Sequence, residues 1–232
     1  MHSLDQLLQS QPLLWRGKQH PAAQRTASTG HATLDAFLPG GGWPLGALTE
    51  LHSLGPGSGE LSLLTPALAR ETARGERVAL VAPPVPPYPP ALAAAGVVLS
   101  QLWVVAPQPC LNHKNTNSQR SKEALWAAEQ LLRSGTFAAV LLWLPQATAT
   151  QLRRLQLAAE TGGSCWALAY RPDQAAAQSS PAALRLQWDQ TYLRVLKCRG
   201  SNPGELLLKE ATPPPNTPAH HWPRAANEQL SL

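Results

Sequence analysis

Cysteine is scarce in this sequence, and its spacing excludes two kinds of small stabilised fold. The three cysteines are Cys110, Cys165 and Cys198. No two of them stand at the short spacing that zinc or iron–sulfur ligands require, and they do not form a disulfide framework. We therefore expect no bound metal and no disulfide-stabilised scaffold.

Long apolar runs are missing as well. No stretch approaches the ~18 apolar residues that a membrane-spanning helix needs. The N-terminal segment MHSLDQLLQSQ has neither the basic region nor the apolar region of a signal peptide. The sequence therefore predicts a cytoplasmic protein.

Charged residues are few, at 14% of the chain, and acids are the rarer kind. Lys and Arg number 19 against 14 Asp and Glu, which gives a net charge of +5. This excess comes from few acids and not from a dense basic arm. It permits contact with nucleic acid without requiring it, and ordinary surface charge explains it equally well.

Short apolar segments alternate with helical patterns along most of the chain. Buried strands are predicted near 47–52, 78–82, 102–106, 137–144 and 165–170, a hairpin over 184–188 and 193–197, and a short strand at 206–208. Helices are predicted over 60–74, 91–95, 121–134 and from Thr148 or Thr150 to Glu160. This alternation predicts an α/β fold with a mostly parallel central sheet, helices on both faces and a C-terminal β-hairpin.

Proline and glycine are frequent, at 23 and 16 residues, and indicate long loops or tails. Residues 1–27 are interpreted as an N-terminal helix, from Leu4 to Leu14, and a linker. Residues 28–209 form the folded domain, and the proline-rich segment 210–232 is predicted to be a disordered tail. The helix is expected either to pack on the core edge or to dock a partner.

The segment from Ser28 to Leu64 reads as helix, glycine turn, strand, glycine-rich loop and helix. It resembles the opening of a RecA-like ATPase core, in which such a loop cradles phosphates, a Lys neutralises them and a Ser or Thr holds magnesium. The loop residues are Gly55, Gly57, Gly59, Glu60, Leu61 and Ser62. Leu61 or Glu60 falls at the Lys position, so the sequence predicts a degenerate nucleotide site in which Glu60 caps its own helix.

The end of the predicted strand 137–144 is a second difference from an active RecA-like ATPase. In an active RecA-like ATPase the matching strand ends in an acid that holds magnesium through water. Here it ends in Trp143-Leu144-Pro145-Gln146, with no acid. Two independent departures predict a protein that does not hydrolyse ATP, with no catalytic residues and no cofactor.

A wider resemblance covers nearly the whole chain. Residues 60–188, with LSLLTPALARET, ALWAAEQLLRSGTFAAVLLWLP and LRRLQLAAETGGSCWALAYRP, resemble the SulA superfamily. The stretches LLWRG, STGHATLDAFLPGGGWPLGALTEL and LRVLKCRG extend the likeness to the RecA-like ImuA family of bacterial mutasome cassettes. That resemblance implies a non-enzymatic accessory protein of SOS-induced, error-prone translesion synthesis. Its implied partners are an ImuB-like protein, a DnaE-type polymerase and RecA as a second candidate. The alternatives are a SulA-like division inhibitor that binds FtsZ and a working ATPase.

A basic edge is the candidate surface for DNA or a partner. Its members are cations of the hairpin and of the helix after Thr148: Arg153, Arg154, Arg185, Arg194, Lys197 and Arg199. In the hairpin, Arg185 and Arg194 are expected on the face opposite the apolar side chains.

Three other features remain open at the level of sequence. Tyr88, in a proline-rich loop, is either an exposed recognition residue or a cover for the sheet end. Trp126 is interpreted as core edge in preference to a partner anchor. Residues 175–180 are predicted to be a flexible loop, at a place where RecA-like recombinases carry a DNA-contacting loop.

Overall fold

The computed structural model describes residues 25–55, 57–106, 117–200 and 203–208. The predicted helix from Leu4 to Leu14, Cys110 and the tail at 210–232 lie outside these residues. The described strands are β1 (Thr26–Ala27), β2 (Trp43–Pro44), β3 (Ala47–Ser53), β4 (Arg77–Val81), β5 (Leu102–Val105), β6 (Phe137–Trp143), β7 (Trp166–Pro172), β8 (Leu184–Trp188), β9 (Tyr192–Cys198) and β10 (Gly204–Leu207). The described α-helices are α1 (Ala32–Phe37), α2 (Glu60–Ala73), α3 (Pro89–Ala94), α4 (Asn117–Ser134) and α5 (Ala149–Gly162).

A mostly parallel sheet of eight strands organises the described chain. Its order is β10-β9-β8-β3-β7-β6-β4-β5. The pairs from β8 to β5 are parallel, and β9 and β10 add two antiparallel pairs at one edge. The predicted α/β class and the C-terminal hairpin are confirmed, and the arrangement is consistent with a RecA-like core.

Helices cover both faces of this sheet, which makes three layers. One core joins α1, α2 and α3 to the sheet through leucines such as Leu34, Leu64 and Leu92. The other joins α4 and α5 through Leu132 and Leu155. Because strands β4, β6 and β7 are covered on both sides, each contains a continuous apolar run, which makes them predictable from sequence.

Most element boundaries agree with the sequence prediction, and the differences have local causes. Helix α4 begins at Asn117 and not at Ser121, because polar residues also fit an exposed first turn, where the amide of Gln119 donates to Glu123 at 2.9 Å. Helix α2 begins at Glu60 and continues through Pro66. Thr148 is the N-cap of α5 and forms a capping box with Gln151.

Two short features were not predicted. Strands β1 and β2 form a two-stranded antiparallel ribbon, which is too short to leave a periodic pattern. A 3-10 helix, Asp173–Ala177, occupies the start of the segment expected to be a flexible loop, and Ala175 within it is buried. The flexible-loop prediction is therefore wrong for this part of the segment.

Candidate functional site

The glycine-rich loop between β3 and α2 is folded around its own carboxylate. Glu60, the first residue of α2, is 6% exposed. One of its carboxylate oxygens accepts the Gly57 N–H at 3.1 Å, and the other accepts the Ser58 hydroxyl at 3.2 Å. The indole N–H of Trp188 donates to the Ser58 carbonyl at 3.0 Å. The loop thus has an internal anion at the start of a helix, where the helix dipole favours negative charge.

Aromatic and proline side chains form the walls beside this loop. Trp143, the last residue of β6, stacks on Tyr170 of β7 with ring centroids 4.4 Å apart. A cavity of about 120 Å³ lies between the loop and these rings, lined by Glu60, Trp143, Tyr170 and prolines 84, 145 and 172. Ligand pockets usually occupy about 300–1,000 Å³. This cavity is therefore small for a nucleotide.

The same environment keeps Tyr170 neutral. Burial first, and then the charge of Glu60, raise the pKa of the Tyr170 phenol well above its ordinary value. The phenol donates to the backbone carbonyl of Glu60 at 3.5 Å. Tyr170 therefore helps to fix the start of α2 and does not act as a base near neutral pH.

A second carboxylate, Glu50 in β3, is the centre of a buried ionic cluster. Its side chain is fully buried, and it faces Arg185 Nε at 2.7 Å and Arg171 Nη1 at 3.4 Å. The Ser180 hydroxyl donates to it at 2.9 Å, and His52 Nε2 lies 3.3 Å away. Burial alone would raise the pKa of Glu50, but hydrogen bonds from His52, Arg185 and Ser180 outweigh it and lower the pKa to about 2.

The two arginines connect this cluster to the loops above the sheet. Arg185 Nη2 donates to the carbonyls of Ala175 and Ala176 at 3.3 and 3.1 Å. Arg171 Nη2 donates to the Ala147 carbonyl at 2.9 Å and to Gln178 at 3.0 Å. These bonds hold the 3-10 helix and the segment after it against the sheet.

The prediction that Arg185 belongs to an exposed basic edge is wrong. Arg185 does lie on the face opposite Leu184 and Leu186, as the alternation predicted, but it is 8% exposed. The 3-10 helix covers that face, which is the face where Glu50 also lies. Arg185 therefore neutralises a buried acid and is not available to a ligand.

The other predicted cations are divided between two elements. On β9, Arg194 pairs with Glu205 at 3.3 Å and Lys197 donates to the Ser180 carbonyl at 3.0 Å. Burial, followed by the charges of Arg185 and Arg199, lowers the pKa of Lys197. Exposed Arg199 follows β9.

Arg153 and Arg154 lie on a different element from the β9 cations, the helix α5. Arg153 is exposed. Arg154 pairs with Glu129 of α4 through Nε–Oε1 and Nη2–Oε2 distances of 2.8 and 2.9 Å. The two helices are therefore joined by an ion pair, and Arg154 is engaged within the protein.

The sequence alone does not place three residues: Glu50, Trp126 and Tyr88. The signal for Glu50 is weak: an acid between Leu48 and Leu51 of a predicted buried strand, two residues before a histidine, is an unusual pattern. Trp126 was interpreted as core edge, whereas its side chain is 63% exposed. Tyr88 is 57% exposed, which favours the first of its two interpretations.

Within the described ranges, no group of three or more His, Cys, Asp and Glu side chains is placed to hold a metal ion. None of the described helices has the length and apolar character needed to span a membrane. The fold and the loop together define a class: an α/β protein whose sheet is consistent with a RecA-like core and whose glycine-rich loop holds its own carboxylate.

Comparison with known proteins adds a partial homologue. No protein-family model matches the chain. Over 54 residues the chain is 46% identical to the cell division inhibitor SulA of Edwardsiella piscicida. The match covers 22% of this chain and 32% of that protein, so the chain spans about a third of the length of the curated relative it matches.

Proposed function

We propose that this chain is a non-catalytic, protein-binding component of the bacterial SOS response to DNA damage. The observation that carries the proposal is the carboxylate of Glu60 inside the glycine-rich loop, bonded to Gly57 and Ser58. A loop that supplies its own anion keeps the RecA-like scaffold without the place where a triphosphate would bind.

The charge of Glu60 in the loop opposes an ATPase. A triphosphate in this loop would meet a carboxylate where an ATPase has an ammonium group. Each close pair of like charges costs about 1 kcal/mol at 4 Å in water and more when partly buried. The dipole of the helix that begins after Gly59 would stabilise a bound phosphate by only about 0.3–1 kcal/mol. The strand β6 also ends in Trp143, without the acid that would hold magnesium.

The specific role we propose is that of an accessory protein in error-prone translesion synthesis. It would act through contacts with an ImuB-like protein and a DnaE-type polymerase, with RecA as a further candidate. Support comes from the resemblance to the ImuA family, which includes residues 28–51, the segment that forms α1, β2 and most of β3 before the core shared with the SulA superfamily.

A second candidate is a SulA-like inhibitor of cell division that binds FtsZ. The observation that favours it is the 46% identity to a cell division inhibitor over 54 residues. Both candidates are SOS-associated and both require a protein partner, so they differ in the partner and in the effect on the cell.

One experiment separates the two candidates. The tagged full-length chain is recovered from cells after DNA damage and probed for an ImuB-like protein, for the polymerase and for FtsZ. In parallel, a strain without the gene is scored for induced mutagenesis and for filamentation. Recovery of the ImuB-like protein with loss of induced mutagenesis supports the first role. Recovery of FtsZ with loss of filamentation replaces it by the second.

A further inference from the structure

The outer side of the helix pair α4 and α5 exposes two large apolar side chains. Trp126 on α4 is 63% exposed and Leu157 on α5 is 49% exposed. The opposite sides of both helices, with residues such as Leu132 and Leu155, are buried against the sheet. Trp126 and Leu157 therefore contribute nothing comparable to the core, and two such side chains on adjoining helices suggest a binding surface.

An ion pair fixes the two helices relative to each other at this surface. Arg154 of α5 contacts both carboxylate oxygens of Glu129 of α4, which is almost fully buried. Trp126 lies one turn before Glu129, and Leu157 lies one turn after Arg154, because residues three apart are neighbours on a helix. The pair thus lies between the two apolar side chains and holds them in a fixed arrangement before any partner binds.

Among the described residues, unpaired cations outnumber unpaired acids around them, by three to two. Lys122, Arg133 and Arg153 are exposed, and none of them forms an ion pair within the described part of the chain. Of the acids of these helices, only Glu129 is paired with a cation, Arg154, whereas Glu123 and Glu160 keep their charge and accept hydrogen bonds from the neutral amides of Gln119 and Gln156. The surface therefore offers unpaired cations next to exposed apolar side chains.

We propose that this surface binds an acidic, amphipathic segment of a partner protein, with Trp126 as its main anchor. We call it the α4–α5 face, and its members are Lys122, Trp126, Arg133, Arg153, Arg154 and Leu157. The proposal rests on the proposed function in one respect, since it takes protein binding to be what the chain does. Trp and Arg dominate the residues that contribute most to protein–protein binding, and carboxylates on the partner complement the free cations.

A protein partner fits this face better than a nucleic acid does. Single-stranded nucleic acid is held by a basic groove that follows the backbone, with aromatic rings that stack on successive bases. Here the outer sides of two helices present one aromatic ring, and the second exposed side chain, Leu157, is aliphatic and has no face for stacking. Apolar contact from Leu157 is useful mainly to a side chain of another protein.

The first test measures peptide binding to the full-length protein by fluorescence anisotropy. The probe is a labelled amphipathic helical peptide with Glu on one side and Leu and Phe on the other, and the matched probe carries Lys at every Glu position. We expect the acidic peptide to bind at least tenfold more tightly than the Lys peptide. Trp126→Ala and Arg153→Glu should each weaken it at least tenfold, whereas Tyr192→Ala, which removes an exposed aromatic of β9, should not.

Equal binding of the two peptides, or unchanged binding by the Trp126 and Arg153 variants, would overturn the proposal. So would tighter binding of a single-stranded oligonucleotide than of either peptide, if Trp126→Ala weakens it. Melting temperatures of all variants control for loss of fold, since the three substituted side chains are exposed.

The second test uses the partner recovered in the experiment described under Proposed function. The double variant Trp126→Ala, Arg153→Glu should fail to recover it. If the unchanged chain and the double variant recover it equally, the proposed function stands and the α4–α5 face is the wrong surface. If the unchanged chain recovers neither partner while the peptide test succeeds, the face is supported and the proposed function is wrong.

Discussion

Replacing Glu50 by Gln should destabilise the protein far more than replacing an exposed acid. Glu50 is fully buried and compensates two guanidinium groups, of Arg171 and Arg185, whose side chains are 1% and 10% exposed. Removing one partner from a buried ionic cluster costs about 3–5 kcal/mol, because the remaining charges stay buried without compensation. For a chain of this size, each kcal/mol lowers the melting temperature by about 2–4 °C, so a loss of about 6–20 °C is expected.

The matched control is Glu205→Gln, which makes the same chemical change at the exposed pair with Arg194. Exposed pairs contribute about 0–1 kcal/mol, so this variant should melt within about 4 °C of the unchanged protein. Circular dichroism during heating and urea titration both measure the difference. If Glu50→Gln melts as the control does, the cluster does not carry the stability assigned to it.

The pH dependence of stability gives an independent measure of the same cluster. Folding lowers the pKa of Glu50 from 4.5 to about 2, so its stabilisation is complete above pH 4.5 and is lost as the pH falls toward 2. That difference corresponds to roughly 3 kcal/mol, which agrees with the lower end of the range for breaking a buried pair. Urea titrations between pH 2 and 6 should show this loss in the unchanged protein and not in Glu50→Gln. An identical acid limb in both proteins would refute the assignment.

Three further outcomes are expected. Isothermal titration with Mg-ATP should give no micromolar binding, and Glu60→Lys should not restore hydrolysis, because β6 ends without an acid; turnover by that variant would contradict the degenerate site. Gly162→Ala should destabilise by about 1–3 kcal/mol, since an added Cβ would lie 2.0 Å from the Leu132 carbonyl, whereas the exposed neighbour change Thr161→Ala should cost less; equal melting of the two would count against it. Deletion of residues 204–232 removes β10 and buried Leu208 and should lower the melting temperature, whereas deletion of 209–232 should not; equal melting of these two truncations would show that β10 adds nothing.

The parts of the fold that sequence predicted are those with a local signature. Strands β4, β6 and β7 contain uninterrupted apolar runs, at 78–81, 137–143 and 166–170, and α5 begins with a capping pair, Thr148 and Gln151. The glycine-rich loop and its acid, Glu60, could also be predicted from a local pattern. Glu60 and its hydrogen-bond partners Gly57 and Ser58 lie within four residues.

The parts that sequence did not predict depend on contacts between distant residues. Glu50 meets Arg171 and Arg185 from 121 and 135 positions away, and no local pattern marks such a pairing. Alternation along β8 correctly separated Arg185 from Leu184 and Leu186, yet it could not reveal that a 3-10 helix covers the polar side. For Trp126 the helical period gave its direction only approximately, and its exposure depends on how α4 sits on the sheet.

The two buried carboxylates order the glycine-rich loop and the segments at the carboxyl edge of the sheet. In the loop, Glu60 supplies the acceptor that the Gly57 N–H needs. Within β3, which leads into that loop, Glu50 fixes the segment above the sheet through Arg171 and Arg185. The contacts of both acids are therefore made by groups of this chain. Under the proposed function, the protein needs no nucleotide to present α4 and α5 to a partner, because Glu50 and Glu60 are held by groups of the chain itself.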